Sequence, residues 1–162
     1  MMPPRDPVAP ADDDARALAR DLLALPHAAL SYLDAETAAP AISRIAFGRI
    51  AGDGLYTFVS ALAPHSAGLR AHPACALLLG EPGGKGDPLT HPRLMIRARA
   101  VVVEPDAPQR PALRDAWLRQ HPKAKLYIDF ADFSFVKLVP VSALLNGGFA
   151  RAYRIDPDDL LT

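Results

Sequence analysis

Seventeen prolines in 162 residues cut this chain into short pieces. Together with the charged residues they interrupt every apolar run, so no stretch approaches the ~20 apolar residues a membrane-spanning helix requires. A chain punctuated in this way is built from short strands and helices joined by turns. Half of its residues are apolar, which suffices for one core of ordinary size. The reading is one domain over residues 11–155, preceded by a disordered lead over residues 1–10 and followed by a loosely held acidic tail over residues 156–162.

Charge and cysteine content narrow the function classes. Eighteen basic residues balance eighteen acidic ones, which leaves no electrostatic case for nucleic acid or an anionic membrane surface as a partner. Cys75 is the only cysteine, so neither an intramolecular disulfide nor a four-thiolate zinc site can form within one chain. Asp12, Asp13 and Asp14 are read as a charged helix start, and no metal is assigned. The N-terminal segment MMPPRDPVAPADDD holds prolines and aspartates where a secretory signal would be apolar. The expected compartment is the cytoplasm.

The apolar spacing then places the elements. Ala15, Leu18, Leu22 and Leu25 recur at helical intervals until Pro26. Residues 28–34 form a short buried strand, and residues 42–50 a second one with Ile42 and Arg44 on one face and Ser43 and Ile45 on the other. Residues 51–54, AGDG, make a hairpin into the strand at residues 55–60. Residues 64–72 read as a short helix, residues 74–81 as a strand, and residues 82–92 as a mobile Gly/Pro-rich surface loop. A long strand covers residues 93–104 and a helix residues 112–121. A final strand from residue 132 is broken by Pro140 and ends at the flexible pair Gly147 and Gly148. Six strands are more than two or three helices can connect in parallel. The fold class is therefore mainly β (α+β): a six-stranded antiparallel barrel with flanking helices.

Four segments in this order carry a family resemblance: PAISRIAFG at residues 40–48, SALAPHSAGLRAHP at 60–73, PRLMIRARA at 92–100, and HPKAKLYIDFADFSFVKLVPVSALLNGGFARA at 121–152. They resemble the bacterial-type FMN-binding split barrels related to pyridoxamine 5'-phosphate oxidase, particularly the haem-utilisation branch. The resemblance implies a split barrel, a homodimer, and an FMN site drawn from Ser43, Arg44, Ile45, Ser60, His65, Ser66 and Arg93. Relatives commonly carry Arg or Lys followed by Asn where Ala67 and Gly68 stand here, so FMN is expected to bind weakly. The flavin itself would perform hydride or electron transfer on an unknown small molecule. No catalytic residue is named.

The resemblance also allows a haem-binding or haem-degrading barrel with a histidine on the iron. A cofactor-free barrel that binds a partner is the third alternative. His27, His72, His91 and His121 lie beside prolines or helix ends and are read as structural, whereas the resemblance of its segment to the family implies a ligand-site role for His65. Cys75, within ACALLL, is read as an inert buried thiol.

Overall fold

The computed structural model describes residue 1 and residues 6–162. Helix α1 (Asp13–Leu23) begins where Asp12 accepts a 2.8 Å hydrogen bond from the Ala15 amide, and it buries Ala15, Ala19, Leu22 and Leu23. Helix α2 (Pro64–Ala71) and helix α3 (Arg110–Gln120) each carry a proline in the first turn, where no intrahelical donor is lost.

The six expected strands are present. They are β2 (His27–Leu33), β3 (Pro40–Ala46), β5 (Gly54–Ser60), β6 (Ala74–Leu79), β7 (Arg93–Val103) and β8 (Phe133–Asn146). Hydrogen bonding runs β3-β2-β6-β7-β8-β5, every neighbour antiparallel, and the sheet stays open between β3 and β5. Two apolar clusters fill it. Leu30, Ile45, Leu77, Ile96 and Leu138 pack inside the barrel. Phe58, Trp117, Ile128 and Phe135 pack beneath α3. Because β5 lies between the two clusters, both of its faces are buried.

Three short strands raise the count to nine and correct the six-strand expectation: β1 (Val8–Pro10), β4 (Gly48–Ile50) and β9 (Ala152–Ile155). The segment read as one strand over residues 42–50 breaks at Phe47, whose ring is fully buried and whose amide donates to the Pro26 carbonyl at 2.9 Å. Burying that ring turns the chain from β3 into β4, which pairs with β5.

Pro140 does not end β8. The register with β7 shifts between Arg97 and Ala98, pairing Ala98 with Pro140 and Arg97 with Ser142, so Val141 is the extra residue of a bulge. A residue without an amide hydrogen is tolerated at such an irregularity.

Both chain ends make contacts with the rest of the fold where the structure describes them. Residues 2–5 of the lead lie outside the described residues, whereas Val8–Pro10 pair in parallel with β9. The tail forms a 3₁₀ turn over Pro157–Leu160 that buries Leu160, and the Arg49 Nε donates to the Leu160 carbonyl at 2.9 Å. Within residues 82–92, a 3₁₀ turn over Pro88–Thr90 is capped by Asp87. No helix among the described residues is long and apolar enough to cross a membrane.

Candidate functional site

The turn from β5 into α2 gathers three of the expected site residues. The Ser60 hydroxyl donates to the Asp132 carboxylate at 3.2 Å and accepts from the Leu62 amide. The buried Ser66 hydroxyl donates to the Ser60 carbonyl. His65 sets its ring edge-on to Tyr32, with centroids 6.0 Å apart. Burial holds its imidazole below the ordinary value of 6.5. Among the described residues no hydrogen bond engages either His65 nitrogen, unlike those of His91, which meet the Gly83 amide and the Lys85 carbonyl.

Beside this turn lies a cavity of about 30 Å³ lined by Val59, Ala61, Ser66, Arg70, Val102 and Ser134 among others. It has room for one or two waters. Arg70, one helical turn after Ser66, is the cation here, and it faces the Glu104 carboxylate at 3.9 Å. Pro64 brings no amide hydrogen to the start of α2, and the Ser66 amide is already bonded to the Ala63 carbonyl at 2.9 Å. These groups do not fit an FMN phosphate.

The remaining expected residues lie elsewhere. Ser43 and Ile45 face the barrel interior from β3, and Ile45 belongs to its core. Arg44 projects outward and shares the Glu81 carboxylate with His27, at 3.3 and 3.2 Å. Arg93 opens β7 and donates to the Leu89 carbonyl at 2.9 Å. It lies nine residues up the strand from Val102 of the cavity, about 30 Å at ~3.3 Å per residue. The structure thus unites Ser60, His65 and Ser66 and leaves Arg44 and Arg93 outside the cluster.

A second concavity arises from strand divergence. β2 and β6 pair only where Ala29, Ser31, Ala76 and Leu78 meet. Beyond that the strands splay into a cleft of about 410 Å³ whose lining includes Tyr32, Leu33, Ala74, Cys75, Arg97 and Val141. Arg97 and Arg99 point to this outer face and have no ion-pair partner among the described residues. Burial pushes the Cys75 thiol up to about 11, which keeps it protonated and donating to the Ala98 carbonyl. Arg97 and Tyr32 were not singled out from the sequence. The signal was present in RLMIRARA, where alternate residues of a strand put the arginines on one face and Leu94, Ile96 and Ala98 on the other.

An open antiparallel barrel with a short helix bridging two of its strands is a split barrel. No protein-family model matches the sequence. One solved structure, 43% identical, superposes with a TM-score of 0.80 over 94% of this chain and 98% of its own. A heme binding protein from Mycobacterium smegmatis is 25% identical, with a TM-score of 0.79 over 93% of this chain and 61% of its own. A curated relative is the chloroplastic non-canonical heme oxygenase HOZ of Arabidopsis thaliana, 36% identical over 95 residues. That match spans 59% of this chain and 28% of the plant protein. The chain belongs to the pyridoxamine 5'-phosphate oxidase-like split-barrel family, in its haem-utilisation branch.

Proposed function

We propose that this chain binds haem at the cleft between β2 and β6. The observation that carries this reading is a guanidinium without an ion-pair partner among the described residues, Arg97, on the wall of an otherwise largely apolar cleft. A porphyrin combines a broad apolar surface with two carboxylates, and this cleft offers the complementary pair of features. Arg97 and Arg99 would hold the propionates. His65, kept neutral by burial and packed against the cleft-lining Tyr32, is the imidazole available to the iron. Haem, when bound, would supply a redox-active iron. The heme-binding relatives support the same ligand. FMN is the weaker reading, because the turn at Ser60 and Ser66 leaves no room for its phosphate.

Titration of the purified protein with haemin tests the proposal. A shifted Soret band at micromolar haemin is expected, displaced or lost in His65→Ala. Arg97→Ala should bind about ten-fold or more weakly, the size of one charge-assisted hydrogen bond. A wild-type spectrum identical to free haemin would overturn the reading.

We further propose a homodimer. The outer sheet face presents Ile42, Leu78, Val139 and Val141, with Ile42 77% and Val141 64% exposed. An apolar face of this kind marks an interaction surface. A second copy would cover it and wall the cleft.

A further inference from the structure

The turn between β5 and α2 is built differently from an anion site, although a helix begins there. A helix start attracts anions through its unbonded amide hydrogens. Here Pro64 contributes none and the Ser66 amide is committed to the Ala63 carbonyl. The Ser66 hydroxyl, the side chain best placed to donate to a bound oxyanion, is instead committed to the Ser60 carbonyl. Ser60 in turn is held by Asp132, which puts a carboxylate on the rim. A second carboxylate, Glu104, faces Arg70, the one guanidinium lining the small cavity. Ala67, exposed on α2 and three residues before Arg70, adds no cation.

We infer that this turn is closed against phosphate esters, and that Ser66, Ala67 and Glu104 set that selectivity. The Ser66 amide and hydroxyl are satisfied internally, and the Glu104 carboxylate faces the Arg70 guanidinium. A ligand whose anionic groups are carboxylates reaching Arg97 and Arg99 on the outer face avoids this turn altogether. Haem binding there neither requires the closure nor follows from it.

Parallel fluorescence titrations with FMN and riboflavin, which differ only in the phosphate, provide the test. The wild type should bind the two within about three-fold of each other, or bind neither. The double variant Ala67→Arg, Glu104→Gln adds a cation and removes a competing carboxylate at two exposed positions. It should gain about ten-fold or more in FMN affinity with no gain for riboflavin. A wild type that prefers FMN by ten-fold or more would overturn the inference, as would a folded double variant with no FMN gain. If the double variant does not fold, the wild-type ratio alone decides.

Discussion

Gly68 of α2 lies directly against the Leu33 carbonyl of β2: a Cβ built at Gly68 would fall 2.5 Å from that oxygen and 2.7 Å from Tyr32 Cδ2. The residue at this position is therefore dictated by the close seating of the helix on the strand, and the asparagine that the family resemblance leads us to expect there would not fit. Gly68→Ala should destabilise the protein by about 1–3 kcal/mol, the usual range for overpacking against backbone. Urea unfolding measures this, and an unchanged midpoint would show that α2 can shift freely.

Thr57 supplies the opposite case. It is fully buried in β5, and its hydroxyl has no hydrogen-bond partner among the described residues. An unsatisfied buried hydroxyl costs about 1–3 kcal/mol. Replacing it with the similarly shaped valine should stabilise the fold by about 1 kcal/mol, read as a higher urea midpoint. A loss of stability would reveal a bonded hydroxyl.

Two half-buried histidines give stability a defined pH dependence. Burial lowers both His65 and His121 from 6.5, and the bond from His121 to the Phe47 carbonyl offsets part of that effect for the latter. With the folded value below the unfolded one, the unfolded chain binds more protons in the window between them. Stability is thus complete above about pH 6.5 and falls as pH drops toward the folded values. Urea midpoints should decline from pH 7.5 to 5.5, and His65→Gln should flatten the slope.

Val141 tests the proposed pairing of copies. It is the bulged residue opposite Arg97 and Ala98, exposed on the outer face beside the cleft. Light scattering should give twice the 17.3 kDa chain mass for the wild type and a single chain for Val141→Asp. A wild-type monomer at micromolar concentration would remove the dimer.

Much of the scaffold was legible in the chain. Apolar spacing and proline positions located the three helices to within a few residues, because helix periodicity and first-turn prolines are local properties. The hairpin at AGDG was equally local, with Gly52 at φ 73°. The short strands β1, β4 and β9 were not legible, since three or four residues carry too little pattern and owe their extended form to a neighbour. Pro140 misled for a related reason: whether a proline ends a strand depends on the bulge that its partner accepts.

The candidate site divides along the same line. By itself the sequence determined the antiparallel strand content, the local grouping of Ser60, His65 and Ser66, and the absence of a cation at Ala67, all matters of residue order, while the split barrel was what the family resemblance implied. Only the tertiary structure decided that Arg93 stands a strand-length away from that turn, that Ser66 donates to Ser60 and so is lost to a ligand, and that Arg97 lines a cleft with no ion-pair partner among the described residues. Each of those depends on which strands become neighbours and where β2 parts from β6. Side chains far apart in the chain meet or miss one another through packing, which no local spacing encodes.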